Sequence, residues 1–148
     1  MANWLSGMKI TAARLKVDSA QNEDTTSRTT SSNTYTDASG GAMTAAVIVP
    51  MSGKVAVEVR STQRNNTAAT NTITSWNGVG SVSGAVYSNN DTAALIVTGT
   101  GNMPLDLRYH LSGLVPGETL TVTIKHRVNN AASVGTFDYR QIMLEGLP

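Results

Sequence analysis

Two runs of alternating apolar and polar residues within Met103–Val128 form the clearest pattern in the chain. Apolar side chains share one phase in each run: Leu105, Leu107, Tyr109 and Leu111, then Leu120, Val122, Ile124 and Val128. Period-two alternation is typical of a strand with one buried and one solvent-exposed face. Between the runs, Ser112-Gly113 and Pro116-Gly117 supply turn chemistry. The pattern predicts an antiparallel strand pair with a short connection.

The same alternation predicts further strands upstream. Val55, Val57 and Val59 alternate with polar residues after the apolar run Ala42–Pro50, and Ser52-Gly53 between them predicts a second, tight hairpin. Further strands are expected at Thr72–Trp76, at Val79–Tyr87 and at Ala93–Thr98. Asn77-Gly78 is expected to be a turn, and the two glycines of Val79–Tyr87 indicate a bent strand near an edge.

The last apolar run, Thr136–Leu144, changes phase in its middle. Phe137 and Tyr139 share one phase and Ile142 and Leu144 the other, so we expect a β-bulge near Arg140-Gln141. About eight closely spaced strands then predict an all-β fold, an antiparallel β-sandwich. A jelly-roll-like topology is the first expectation, and a fibronectin-like sandwich is the alternative.

The first twenty residues differ from the rest of the chain. Thr11 can cap a short helix over Thr11–Val17, which is too short to persist alone in water. The apolar residues of this segment are Trp4, Leu5, Met8, Ile10 and Leu15. They need a surface to pack on, either their own domain or a neighbouring subunit. We therefore divide the chain into an anchoring segment 1–20, a polar linker or edge strand 21–37, the latter around Thr34–Thr36, and a sandwich 38–148.

Composition narrows the function classes. The chain of 148 residues has no cysteine, a net charge of +1 and only 14% charged residues. These values argue against thiol chemistry and against the clustered cations that nucleic-acid binding requires. No stretch approaches the roughly 20 apolar residues of a membrane span, and no signal peptide is evident. We expect synthesis in a cytoplasm, and neither nucleic acid nor a membrane as a partner.

Candidate chemistry is sparse. His110 and His126 fall in opposite phases of their strands, so we expect them on opposite faces and predict no metal site. The aspartates lack the paired spacing of a glycosidase, and we predict no enzyme activity and no cofactor. Trp76, Tyr87 and Tyr35 are the aromatic side chains free to stack on a sugar. A host-surface or carbohydrate-binding module is therefore the alternative function.

Several short motifs resemble those of small virion proteins of tailed bacteriophages, particularly phages of actinobacteria. Gly7–Leu15 (GMKITAARL) resembles their N-terminal G-x-x-I-T-A-A-x-L, although Lys16 follows where Asn is common. Similar segments follow in the same order: Ser32–Asp37, Val47–Val55 and Arg140–Glu145. The turn Gly113–Thr119 is also similar to one in fibronectin type III domains, without that family's tyrosine.

The phage resemblance implies a non-enzymatic structural component of a virion, made in the host cytoplasm. A minor tail protein, a fibre head and a capsid decoration protein all remain open, as does binding to a host-surface glycan. We expect the partners to be other virion proteins and further copies of the chain. A homotrimer is expected partly from the resemblance, and partly because Val79–Tyr87, Ala45 and Ala46 offer small apolar residues for close contact.

Overall fold

The computed structural model describes residues 17–148, and all regular structure in this range is β-strand. The ten strands are β1 (Ser19–Asp24), β2 (Arg28–Thr30), β3 (Met43–Ile48), β4 (Val55–Asn65), β5 (Asn71–Gly80), β6 (Gly84–Tyr87), β7 (Leu95–Thr98), β8 (Met103–Leu111), β9 (Thr119–Val128) and β10 (Gly135–Gly146). The helix expected at Thr11–Val17 lies outside the described residues apart from its last position. Within the described range, no helix is long and apolar enough to span a membrane.

The strands form two five-stranded antiparallel sheets. In sheet A the order is β1-β10-β4-β8, and β2 also pairs with β10. In sheet B the order is β3-β9-β5-β6, and β7 also pairs with β5. The buried apolar side chains of both sheets form one core, which includes Val57, Trp76, Val122 and Leu144. The predicted all-β, antiparallel class is confirmed, and the arrangement is sandwich-like.

Both predicted hairpins are wrong in their pairing. β8 lies in sheet A beside β4, whereas β9 lies in sheet B between β3 and β5. Likewise β3 pairs with β9, whereas β4 pairs with β10 and β8. The turns at Ser52-Gly53 and Pro116-Gly117 therefore cross between the sheets. Alternation shows which side chains are buried but not which strand lies alongside.

The predicted alternation is accurate in β9, an interior strand of sheet B with one face in the core. In β9, Leu120, Val122, Ile124, His126 and Val128 are all fully buried, and the residues between them are half-buried. The predicted Asn77-Gly78 turn is wrong, because β5 continues through both residues to Gly80. A mid-strand Asn-Gly pair can look like a hairpin turn in sequence, since turns favour the same residues.

The polar segment 21–37 contains strands. β1 pairs with β10 along its whole length, and β2 pairs with the start of β10. At the expected Thr34–Thr36 strand, a single bridge joins Thr36 to His126. The strands of this region lie at other positions than the expected one, since β1 begins at Ser19 and β2 at Arg28. The residues of β1 are mostly exposed, so its sequence carries little apolar alternation.

A β-bulge interrupts β10 at Asp138. Phe137 lies opposite Gln63 and Tyr139 lies opposite Thr62, so Asp138 is the extra residue. The bulge predicted near Arg140-Gln141 is therefore present but misplaced. Because Asp138 has no partner in the β4 ladder, Tyr139 faces outward while Arg140 faces the interior, where it is 3% exposed.

Deleting Asp138 should leave the fold intact, because the remaining residues of β10 keep their present faces. The Asp138 side chain contacts Ser27 and Asn102 at 2.8 and 3.0 Å and forms an ion pair with Arg64. Such exposed pairs contribute about 1 kcal/mol or less each, so we expect a small fall in melting temperature.

The matched control is deletion of Met143, which removes one residue from the regular part of the same strand, between the buried Ile142 and Leu144. This deletion puts Ile142 and Leu144 on opposite faces, so one of them leaves the core at a cost of about 2–5 kcal/mol. Thermal unfolding by circular dichroism measures both variants. If the Asp138 deletion destabilises as much as the Met143 deletion, the bulge does not lie at Asp138.

Candidate functional site

A chain of buried polar side chains crosses the interior between the two sheets. Arg140 Nη1 lies 3.1 Å from His126 Nε2, and His126 Nδ1 lies 3.1 Å from Thr74 Oγ1. A guanidinium can only donate, so Nε2 accepts and Nδ1 carries the hydrogen that Thr74 accepts. The Thr74 hydroxyl in turn donates to Gln63 Oε1 at 2.6 Å. We call this chain of Arg140, His126, Thr74 and Gln63 the relay, and the direction of every hydrogen bond in it is fixed.

The relay is closed at both ends. Gln63 Nε2 donates to the carbonyl oxygens of Thr72 and Leu95 at 2.9 and 3.0 Å. At the other end Arg140 Nη2 donates to Asp24 Oδ2 at 2.5 Å, and Arg28 Nε donates to the same oxygen at 2.9 Å. The relay thus connects the edge strand β1 to sheet B through the core.

Burial and neighbouring charge fix the ionisation of the relay. Burial lowers the pKa of His126 well below its usual value, and the positive charges of Arg140 and Lys125 lower it further. Burial acts to raise the pKa of Asp24, but the hydrogen bonds from Arg28 and Arg140 outweigh it and hold the pKa below its usual value. A neutral imidazole and an ionised carboxylate therefore flank the guanidinium.

The structure does not bring the two histidines together. His126 is fully buried, whereas His110 is exposed on the outer face of sheet A. Their opposite phases predict this separation. Among the described residues, no group of three His, Cys, Asp or Glu side chains could hold a metal ion.

One end of the sandwich, which we call the Glu118 end, is formed by the connections 49–54, 81–83 and 112–118. The buried Glu118 carboxylate accepts hydrogen bonds from Val82 N, Ser83 N and Val115 N at 3.0, 2.9 and 2.8 Å, and from the Ser83 hydroxyl at 2.6 Å. The Ser83 hydroxyl and amide, followed by the other two amides, lower the pKa of Glu118 to about 2. A Cβ on Gly80 would lie 2.8 Å from Glu118 Cδ, so the glycine leaves room for the hydrogen-bonded Glu118 carboxylate.

The Glu118 end exposes apolar side chains at the tips of its three connections. Met51 is 88% exposed, Val82 70% and Val115 41%. The described chain also begins here, since Asp18 accepts hydrogen bonds from Ile48 N through Oδ2 and from Gly146 N through its carbonyl, both at 2.9 Å. The first described residues therefore lie at the apolar end of the sandwich. The assembly residues expected from sequence (Trp4, Leu5, Met8, Ile10 and Leu15) lie outside the described range.

The aromatic side chains expected to stack on a sugar are engaged within the protein. Trp76 is fully buried, and its ring stacks on Tyr87 with centroids 3.8 Å apart. Tyr35 donates to Asp91 Oδ1 at 2.6 Å, and the Arg127 guanidinium lies 5.4 Å from its ring centroid. Burial, followed by the Asp91 hydrogen bond, raises the pKa of Tyr35 to about 12. The structure thus does not support the predicted platform.

A different aromatic surface, which was not expected from the sequence, lies on the outer face of sheet A. A depression of about 440 Å³ is lined by Arg60, Ser61, Thr62, Pro104, Leu105, Asp106 and Tyr139. Tyr139, Thr62 and Pro104 lie side by side on three adjacent strands. The position of the bulge accounts for the difference. A bulge near Arg140-Gln141, as expected, would put Tyr139 on the same face as Phe137, whereas the bulge at Asp138 turns Tyr139 outward.

Protonation of the relay should make the fold acid-sensitive. The folded-state pKa of His126 is depressed, so at acidic pH the unfolded chain binds a proton that the folded chain excludes. Its contribution to stability is therefore present above about pH 6.5 and is lost as the pH falls, by at most about 1.4 kcal/mol per pH unit. The carboxylates with lowered pKa add their loss only below about pH 4.

Thermal melts between pH 8 and pH 4 test this dependence. The wild-type melting temperature should fall below about pH 6.5, whereas His126→Gln, which has a neutral amide, should be nearly flat down to about pH 4.5. His110→Gln is the matched control and should follow the wild type. Equal slopes for wild type and His126→Gln would contradict the neutral, buried imidazole.

Comparison with known proteins provides no assignment: no protein-family model matches the chain, and a search of curated proteins finds no match.

Proposed function

We propose that the protein is a non-enzymatic structural component of a phage virion, anchored through its N-terminal segment. Minor tail protein, fibre head and capsid decoration protein are the three roles that the sequence resemblance implies. The proposal also places the protein in the virion, after synthesis in the host cytoplasm. The observation that carries it is the position of Asp18, which holds the start of the described chain at the apolar Glu118 end.

The two ends of the sandwich differ in their exposed apolar side chains, as we expect of a subunit that is anchored at one end and projects at the other. The Glu118 end combines exposed Met51, Val82 and Val115 with the start of the described chain. Exposed apolar patches of this kind mark contact surfaces. The opposite end, which we call the polar end, includes the connections 99–102 and 129–134, whose residues are mostly exposed and include no exposed large apolar side chain. We assign the Glu118 end to contact with other virion proteins and the polar end to the outer surface.

A jelly-roll topology is part of the same proposal. β1 and β2 both pair with β10, and β6 and β7 both pair with β5, so the ten strands occupy eight positions. An eight-position, two-sheet antiparallel sandwich favours a jelly roll over the seven-stranded fibronectin-like alternative.

Deleting residues 1–16 tests the anchor. Asp18 and β1 remain in this variant, so we expect the sandwich to keep its melting temperature while the protein fails to join virions. A full-length control that carries Trp4→Ser, Leu5→Ser and Met8→Ser should also fold and fail to assemble. Virions purified after complementation and analysed by mass spectrometry give the result. Normal incorporation of both variants would reject anchoring, and an unfolded deletion variant would assign the segment to the core.

We also propose a homotrimer. Ala46 and Ala85 are exposed on the outer face of sheet B, together with Ile48 and Val79, which are 47% and 49% exposed. Ala45, the other alanine expected at this contact, faces the core and is 8% exposed. A closed three-fold assembly would cover this apolar surface without forming a filament.

Light scattering of the full chain at micromolar concentration tests the trimer. We expect three times the 15.5 kDa of one chain. Val79→Lys should give the mass of a single chain, because it places a charge within the contact, whereas Thr100→Lys at the opposite end should leave the trimer intact. A single-chain mass for the wild type would contradict a trimer in solution.

A further inference from the structure

We propose that the depression around Tyr139 on the outer face of sheet A binds a neutral sugar, of about the size of a mono- or disaccharide. This inference does not depend on the virion role, because such a site would act in the isolated protein. It goes beyond the proposed anchor, which lies at the Glu118 end. The depression lies in the half of sheet A that is nearer the polar end, beside the first residues of β8 and β10.

The bulge at Asp138 creates the apolar part of this site. In a strand without a bulge, Phe137 and Tyr139 would share one face, so burial of Phe137 would also turn Tyr139 inward. Tyr139 instead lies on the outer face, next to Thr62 and then Pro104 across the sheet. Bulges commonly re-aim a side chain at a functional surface. The face of an aromatic ring carries partial negative charge, so it attracts the polarised C–H groups of a pyranose ring.

The adjacent row of side chains on the outer face of sheet A supplies the polar part of the site. Arg60 and Asp106 lie opposite each other on β4 and β8, directly beside Thr62 and Pro104. A carboxylate accepts two or more hydroxyl hydrogens, and the Thr62 hydroxyl can both donate and accept. Convergence of a ring with a few polar groups at one depression is the usual composition of a small-molecule site. The volume of about 440 Å³ lies within the range of such sites.

The local charges favour a neutral ligand over an anion. Arg60 Nε donates to Glu58 Oε1 at 2.7 Å, so a carboxylate already occupies the guanidinium. Arg108, the next cation on this face, pairs with Glu58 and Glu145 at 3.5 and 2.8 Å. Asp106 is exposed and adds a negative charge at the rim. A sulfated or carboxylated sugar would meet this charge, whereas a hydroxyl-rich sugar would donate hydrogen bonds to it.

Nuclear magnetic resonance titration of the ¹⁵N-labelled full chain tests the site. The probes are methyl glucoside, methyl galactoside, N-acetylglucosamine, maltose and lactose, each up to about 20 mM, since isolated small sites of this kind bind in the millimolar range. We expect at least one probe to shift the amides of Thr62, Asp106 and Tyr139. Tyr139→Ala should weaken that probe's binding at least about tenfold.

Asp106→Asn provides the second variant, because it keeps the shape of the depression and removes the carboxylate. It should also weaken binding, and it decides the question if Tyr139→Ala does not fold. His110→Ala, on the same face but near the Glu118 end, is the matched control and should bind like the wild type. The proposal is rejected if no probe shifts these amides, if the shifts fall on sheet B, or if Asp106→Asn binds as tightly as the wild type.

Discussion

The β-bulge at Asp138 is the constraint on which the rest of the structure depends. One residue without a ladder partner lets Phe137 and Ile142 both reach the core although they lie five positions apart. In a regular strand, residues an odd number of positions apart point to opposite faces. The bulge therefore lets β10 bury side chains both before and after Asp138. It also turns one polar residue into the core and one aromatic residue out to the surface.

The residue that enters is Arg140, and a buried guanidinium is costly unless it is paired. Asp24 supplies the negative charge and His126 a neutral acceptor, so Arg140 connects the edge of sheet A to the middle of sheet B. Removing one partner of a buried ion pair typically costs about 3–5 kcal/mol, because the remaining charge is left uncompensated. The Asp24 carboxylate adds a side-chain link between the polar edge strand β1 and the core, alongside the backbone pairing of β1 with β10. At the Glu118 end, the Glu118 carboxylate joins two connections, 81–83 and 112–118, through Val82, Ser83 and Val115.

The sequence predicts the burial of the strands better than it predicts their neighbours. The alternation of β9 from Leu120 to Val128 is complete, because β9 lies inside sheet B and its inner face packs in the core. The hairpins expected at Ser52-Gly53 and Pro116-Gly117 are instead crossings between sheets, since turn residues fix a local reversal but not the sheet to which the next strand belongs. The strand β1 was missed because it has almost no apolar residues. The Tyr139 depression was missed because the phase change was placed two residues too late, whereas the separation of His110 and His126 followed directly from their phases.

The hydrogen position on the His126 ring tests the account most directly. If the bulge turns Arg140 inward, the guanidinium donates to Nε2, and the imidazole is neutral with its hydrogen on Nδ1. Two-bond ¹⁵N–¹H correlation spectra of the full chain at neutral pH distinguish the three states of the ring. The account expects a protonated Nδ1 and an unprotonated Nε2 for the buried histidine, with His110 as the internal reference. A hydrogen on Nε2, or a doubly protonated ring, would show that Arg140 does not donate to His126 and would contradict the inward turn at Asp138.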